Sequence, residues 1–273
     1  MSGLGRRVRY ALAHPSAALA YARRLPSRLT ADDAAKRTRD AGEFWSESEG
    51  DEAVADMSHW RGKGRWDDEQ WYGVGRRHVA MLEQLAGACG QELGGGALLE
   101  WGGGGGSNLL AFREHFARVY DVDISQANLD EVARQFEEHG KDGLTTIHIE
   151  PEQVASVPGR VGEALDVFLC TAVFQHFPGK DYGLEVLRCA AGMLKPGGLS
   201  LVQIRYDNGN RRYAAKDRDY KTQFLTFTSY AIDEFWQACS AEGLQPIAVR
   251  LNPDVNYAFF GLRKIAPTQD PAP

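Results

Sequence analysis

Cysteine is scarce in this 273-residue chain: Cys89, Cys170, Cys189 and Cys239 lie far apart, and none belongs to a C-x-x-C pair. That spacing excludes a zinc ribbon and a small disulfide-stapled scaffold. Cys170 in an apolar run and Cys189 in a helical pattern read as buried, reduced thiols. No run of about 18 apolar residues exists, so no membrane-spanning helix is expected. A positive balance is missing as well. The 31 basic and 37 acidic residues leave a net charge of -6, which sets nucleic acid aside as the default partner. What is present is ordinary for a globular protein: 43% apolar and 25% charged residues, enough chain for one large domain or for one domain with an attached subdomain. A cytoplasmic location is the expectation.

The charge is uneven. Residues 1–40 carry nine Lys/Arg against three Asp, a balance of +6 that leaves the remainder at -12. Arginines followed by alanines imitate a secretion signal, but His14, Pro15, Ser16 and Tyr21 interrupt the apolar part. Residues 1–42 therefore read as a basic leader with weak attraction for acidic surfaces. Residues 43–77 differ in character, holding Trp45, Trp60, Trp66 and Trp71 among glycines and charges. They suit either packing onto the main domain or a lid over a cleft, because indole brings large apolar area at low entropy cost.

From His78 the pattern alternates between strands and helices up to residue 265, with a tail over 266–273. Ala97–Trp101, Arg118–Asp123, Thr145–Ile149, Leu165–Cys170 and Leu199–Arg205 read as strands. Helical periodicity lies between them, and Lys195-Pro196-Gly197-Gly198 reads as a helix stop. Thr228/Ser229 is expected to cap a last helix, before two strand-like runs at Pro246–Leu251 and Tyr257–Arg263. The alternation predicts an α/β fold: a doubly wound, mostly parallel, seven-stranded Rossmann-like sheet behind an N-terminal helical, Trp-rich lid.

Ligands of such sheets sit at the carboxyl ends of the strands, where a Gly-rich first turn lets backbone approach closely. Gly102–Gly106 follows the first strand directly. The run completes no dinucleotide fingerprint, since the sixth position is Ser107 or Asn108, and no G-K-[ST] P-loop follows. Instead Glu100 precedes the glycines and Asp123 ends the next strand. Asp123 is placed to accept hydrogen bonds from two ribose hydroxyls, and Glu100 suits a cationic group.

Leu98-Leu99-Glu100-Trp101-Gly102-x-Gly104-x-Gly106 resembles the first motif of the class I S-adenosylmethionine-dependent methyltransferases. Val119-Tyr120-Asp121-Val122-Asp123-Ile124-Ser125 is similar to their second-strand motif. Leu165–Thr171 through Gln175-His176-Phe177 resembles the fourth-strand motif and its loop, and Leu194-Lys195-Pro196-Gly197-Gly198 the turn before strand five. The motifs arrive in family order over roughly 78–265. The resemblance implies S-adenosylmethionine as cofactor, Gly102, Gly104 and Gly106 beneath it, and Glu100 near its amino group. It also implies Asp123 at the ribose, Ile124 at the adenine and Thr171 beside the methionine moiety. Glu150 and Glu152 are two candidates for the acid after strand three, in a stretch that departs from the usual Gly-Asp pattern.

Methyl transfer to a hydroxyl needs positioning and removal of a proton. His176, just past the fourth strand, is the candidate base, although histidines at this loop position of the family often lack catalytic duty. His59 and His148 are less well placed. No metal site is indicated. The polar, aromatic segment 206–227, with Arg205 and Tyr206 at its start, would overhang the strand ends and form an acceptor cleft together with Trp60. Such a cleft suits a sugar or oligosaccharide, and it also suits an aromatic natural product. In size and layout alone the chain resembles actinobacterial saccharide or small-molecule O-methyltransferases of the methylmannose polysaccharide type. Phenolic or N-methylation, and a non-catalytic cofactor- or partner-binding protein of the same fold, are the alternatives. A homodimer is left open.

Overall fold

In a computed structural model, which describes residues 33–46, 52–63 and 66–266 (52–54 by backbone alone), seven strands hydrogen-bond into one sheet. They are β1 (Gly95–Trp101), β2 (Phe116–Asp123), β3 (Leu144–His148), β4 (Leu165–Cys170), β5 (Leu194–Arg205), β6 (Leu244–Asn252) and β7 (Tyr257–Lys264). Their order is β3-β2-β1-β4-β5-β7-β6, parallel from β3 to β5, with β7 antiparallel to both β5 and β6. The order reverses between β1 and β4, and this switch point opens a crevice above their carboxyl ends.

The helices are α1 (Ala34–Ser46), α2 (Glu52–Met57), α3 (Asp68–Ala88), α4 (Ser107–Phe112), α5 (Gln126–Glu138), α6 (Val157–Val161), α7 (Lys180–Met193), α8 (Tyr220–Gln223) and α9 (Ile232–Ala241). Side chains of a strand alternate between faces, so neighbours in β1 enter different cores. Leu98 packs with Leu82 and Leu85 of α3, Phe112 of α4 and Val132 of α5. Leu99 packs with Val186 and Leu187 of α7 and Phe235 of α9. Cys170 and Cys189 are buried free thiols, as their apolar surroundings predict, and so is Cys239.

Several boundaries differ from the sequence reading. α3 starts at Asp68, ten residues before the visible periodicity, because Asp67 and Gln70 form a capping box that nucleates it inside the Trp-rich segment. The limits at 42/43 and 77/78 thus fall within α1 and α3. β5 starts at Leu194, which pairs with Leu165 of β4; Lys195–Gly198 form an irregularity opposite Asp166 before the register resumes at Val167 and Leu199. Thr228 and Ser229 do not cap α9, which begins after Ala231; the Thr228 hydroxyl donates instead to the Phe177 carbonyl. The leader as far as residue 32 and the tail from 267 lie outside the described residues.

The segment after β5 folds back onto α1. Tyr220, Phe224 and Phe227 bury their rings against Ala41 and Phe44, making a small third core apart from the sheet. The Arg37 guanidinium ties the same elements together by donating to the carbonyls of Pro178 and Asp217. No helix among the described residues is long and apolar enough to cross a membrane.

Candidate active site

A cavity of about 1020 Å³ lies over the carboxyl ends of β1, β2, β4 and β5 and beneath α1 and α3. Pockets for one ligand commonly span about 300–1,000 Å³, so there is room for a cofactor and an acceptor together. The glycine loop forms its floor. Gly102 and Gly104 adopt φ of 77° and 55°, left-handed values that a side chain disfavours. A Cβ at Gly105 would stand 2.2 Å from the His59 carbonyl oxygen. The reason is that residues 58–60 lie directly on the loop, and Gly105 N–H donates to the Ser58 carbonyl at 2.8 Å. Part of the Trp-rich segment is therefore a cover held by the loop it covers.

Glu100 is 1% exposed. Its Oε1 accepts from Asn108 Nδ2 at 2.5 Å and lies 3.5 Å from the Thr171 hydroxyl, whereas Oε2 has no partner among the described residues. Burial pushes its pKa up to about 8, against the opposing hydrogen bonds of Asn108 and Thr171. A buried carboxylate oxygen lacking a donor fits an ammonium group, such as the amino group of a methionine moiety. Asp123 lines the cavity, with Oδ1 accepting from Ser125 N at 2.8 Å and Oδ2 from Asn128 Nδ2 at 3.1 Å. Burial raises its pKa too. These bonds leave lone pairs on both oxygens for hydroxyl donors. Asp121, fully buried under the loop, accepts from Gly103 N at 3.1 Å, and burial raises its pKa well above the carboxylate range.

Thr171, Ile124, Gly102 and Gly104 join Glu100 and Asp123 on the cavity wall. Gly106 lies behind them as the left-handed N-cap of α4. Glu150 and Glu152 are not among the lining residues. Glu150 caps the 3-10 turn Pro151–Ser156, both acids are exposed, and Pro151 meets the cavity in their place. After β4, Ala172 holds φ 59°, rare for a residue with a side chain. It is pinned by Gln203 Oε1, which accepts its N–H at 3.1 Å, and by Gln175, whose amide donates to its carbonyl at 2.7 Å.

His176 reaches the cavity from this loop. Its Nδ1 lies 2.9 Å from the Phe224 carbonyl, which can only accept, so the proton resides on Nδ1. The Nε2 lone pair is met by the Gln175 amide at 3.1 Å. Trp45 packs against the ring, with centroids 5.1 Å apart. Burial lowers the pKa to about 4.

A second imidazole, which no sequence motif marks, stands on the cavity wall. His78 of α3 lines the cavity and directs Nδ1 to Asn108 Oδ1 at 2.8 Å. The Asn108 amide nitrogen already serves Glu100 and Thr171, so its oxygen faces His78, whose proton must sit on Nδ1. Nε2 keeps its lone pair and has no hydrogen-bond partner among the described residues. Burial, with the charge of Arg77 adding to it, lowers the pKa to about 4 against the Asn108 bond. Only a tertiary contact marks His78 and Asn108, so no local spacing announces them.

The three residues expected at the acceptor stand off the cavity wall. Trp60 donates Nε1–H to Asn128 Oδ1 at 2.9 Å, steadying the residue that holds Asp123, because a half-buried indole N–H needs an acceptor. Arg205 is taken up by the Val255 carbonyl and the Tyr257 hydroxyl, at 3.1 and 3.0 Å, and lies over the Tyr257 ring. Tyr206 continues the strand edge, bridging to Tyr230 and bonding Asn256 through its backbone. Trp45, Trp66, Trp71, Tyr257 and Phe259 supply the aromatic wall instead. Among the described residues no cluster of His, Cys, Asp and Glu has the arrangement of a metal site.

Residues 99–200, from β1 into β5, match a family model described as a methyltransferase domain. No curated protein matches the sequence significantly. Among solved structures, the magnesium protoporphyrin IX methyltransferase of Synechocystis PCC 6803, with bound S-adenosylhomocysteine, is similar. Its identity is 13% and its TM-score 0.57, over 81% of this chain and 97% of that one. An S-adenosylmethionine-dependent methyltransferase from Clostridium acetobutylicum ATCC 824 shares 10% identity at a TM-score of 0.55, over 74% of this chain and 94% of its own. The 1,6-didemethyltoxoflavin-N1-methyltransferase of Burkholderia thailandensis shares 20% at 0.52, over 73% and 80%. Residues 99–200 thus carry a methyltransferase domain, and the sheet around them has the fold of S-adenosylmethionine-dependent methyltransferases.

Proposed function

We propose that the enzyme methylates a hydroxyl group of a small polar acceptor, with a sugar or oligosaccharide as the leading class. Glu100 holds the amino group of the cofactor, Asp123 its ribose, Gly102 and Gly104 let the loop pass beneath it, and Ile124 faces the adenine. The cofactor supplies a methyl group already activated on a sulfonium centre. The protein's part is to orient the acceptor oxygen and to take its proton as the new carbon–oxygen bond forms.

The observation that carries this reading is the open lone pair of His78 Nε2 on the wall of a cavity whose other end holds the unpaired Glu100 oxygen. Asn108 fixes the imidazole as Asp or Asn fixes a catalytic histidine, with the proton on the far nitrogen. His176 is the other candidate base, and its Nε2 first has to release the Gln175 amide. An N-methyltransferase has less need of such a base. Polar groups on the wall, Gln203 and Asn252 beside Tyr257, suit a polyhydroxylated acceptor.

The test is methyl transfer from S-adenosylmethionine to a panel of saccharides, phenols and amines, read as release of S-adenosylhomocysteine. Turnover of hydroxylated acceptors that collapses in His78→Ala supports the reading. Turnover confined to amines refutes it. Binding of S-adenosylhomocysteine with no turnover of any acceptor would favour a non-catalytic protein.

A further inference from the structure

The charged side chains of the cavity divide into two groups. Glu100 and Asp123 stand at the ends of β1 and β2, and Arg77 and Arg250 stand on α3 and β6. The two acids have assigned tasks in the proposed reading. The two arginines have none. Neither guanidinium forms an ion pair or hydrogen bond among the described residues, in contrast to Arg61, Arg118 and Arg134, which are each ion-paired.

The sheet fixes where Arg250 points. Arg250 pairs directly with Phe259 of β7, which pairs with Gln203 of β5. Directly opposed residues of antiparallel strands project from one face, so the three side chains form a row across the sheet. The Phe259 ring meets His78 with centroids 5.6 Å apart, which places the row under α3. Arg77 is the neighbour of His78 on that helix. The open imidazole therefore lies between the cofactor end and Arg250, with Arg77 beside it on α3.

Distance separates the two groups. From β1, which carries Glu100, to β6, which carries Arg250, the order β1-β4-β5-β7-β6 takes four steps. At about 4.8 Å per step this is about 19 Å. The carboxylate of the cofactor's own amino-acid end shares a carbon with the amino group held by Glu100, so it stays near β1. The anion that meets Arg250 must come from another molecule.

We infer that the acceptor is a hydroxylated organic anion, whose carboxylate or phosphate is read by Arg250 and Arg77 while its hydroxyl lies toward His78. The inference rests on the methyltransferase reading of this cavity and adds the charge of its acceptor. A guanidinium fork matches either oxyanion in two-pronged geometry, so the two groups share one chemistry. In a chain of net charge -6, placing two unpaired cations on a concave wall also draws such an acceptor in against the overall repulsion.

The test loads the full chain with S-adenosylhomocysteine and follows, by calorimetry, the binding of matched probes. Glucose 6-phosphate is paired with glucose, glucuronate with its methyl ester, and 4-hydroxybenzoate with its methyl ester. Inorganic phosphate is titrated alone. At least one anion should bind ten times or more tighter than its neutral twin, and added salt should erode that preference. Arg250→Gln should abolish the preference, Arg250→Lys should keep part of it, and the affinity for S-adenosylhomocysteine should not change in either variant. Sugar phosphate against hydroxy acid tells which oxyanion is preferred. Anions no tighter than their twins, or a preference surviving in the Arg77→Gln/Arg250→Gln double variant, overturns the inference. So does inorganic phosphate binding as tightly as every organic anion, which marks a bare ion site. Failure to bind S-adenosylhomocysteine strikes the methyltransferase reading itself and is seen before any probe is added.

Discussion

His78 and Glu100 are the two ends of one buried hydrogen-bonded chain, joined by the single side chain of Asn108. In the proposed reading the imidazole faces the acceptor side of the cavity and the carboxylate the cofactor side. Asn108 can satisfy both only in one amide orientation, and Thr171 locks that orientation by accepting from the same nitrogen at 3.0 Å. The residue proposed to take a proton and the residue proposed to hold the cofactor are thereby positioned by the same group.

Cofactor binding should release a proton. Glu100 is pushed up to about 8 by burial, so it is largely neutral at pH 7 and ionises when an ammonium group arrives. Calorimetry of S-adenosylhomocysteine in buffers of different ionisation enthalpy should show release approaching one proton, and affinity should climb from pH 6 to 8. Glu100→Gln should lose the release and about tenfold to a hundredfold in affinity, the scale of a charged hydrogen bond. The effect on folding has the opposite sign. The folded state holds this proton between the unfolded pKa of 4.5 and about 8, so the contribution of Glu100 to stability falls as pH rises through that window.

The two imidazoles separate in kinetics. His78→Ala should lower kcat by about 10²–10⁴-fold, the usual contribution of a positioned base, with affinity for S-adenosylhomocysteine reduced far less. His176→Ala should lose mainly thermal stability, because its ring is packed by Trp45 and bonded to Phe224. Both imidazoles titrate near 4, so kcat should stay flat between pH 6 and 8 in place of the rise an exposed histidine would give. A mutant pair with the reverse pattern would return the base to His176.

Gly105→Ala tests the cover. The new Cβ would meet the His59 carbonyl at 2.2 Å, and backbone on both sides has to shift. Overpacking of this kind costs about 1–3 kcal/mol. Amide exchange should quicken at residues 58–60, and the melting temperature should fall. Gly87→Ala is the control, since nothing lies within 4 Å of its Cβ and it sits inside α3, where alanine should stabilise by about 0.5–1 kcal/mol.

Trp60→Phe removes one hydrogen-bond donor and keeps an aromatic ring. If Trp60 serves Asn128 and not the acceptor, the variant should lose about 0.5–1.5 kcal/mol of stability, the net scale of one hydrogen bond. Its KM for any acceptor found should be unchanged. A KM rising tenfold with unchanged stability would return Trp60 to the acceptor site.

The legible part of the site is the part that is local in the chain. Glu100 and the glycines share one strand and its turn, Asp123 ends the next strand, and Thr171 ends the fourth. Parallel strands of one sheet bring their carboxyl ends together whatever their loops do, so motif order alone assembled the cofactor end. The seven-stranded sheet was legible for the same reason, from alternation of apolar strands with helical periodicity. Side chains placed by packing between distant segments were not legible. Trp60, Arg205 and Tyr206 stand in polar, aromatic stretches that pointed to the acceptor, yet each found a nearer partner in Asn128, Tyr257 or Asn256. His78 and Asn108 lie 30 residues apart and meet only because α3 lies across the start of α4. Arg250 reaches the cavity only because β7 inserts between β5 and β6 and turns that strand's face toward α3. Sequence carried what strand periodicity and a glycine turn impose within a few residues. The packing of α3 over the reversed end of the sheet decided which imidazole and which cations line the cavity, because those contacts depend on elements far apart along the chain.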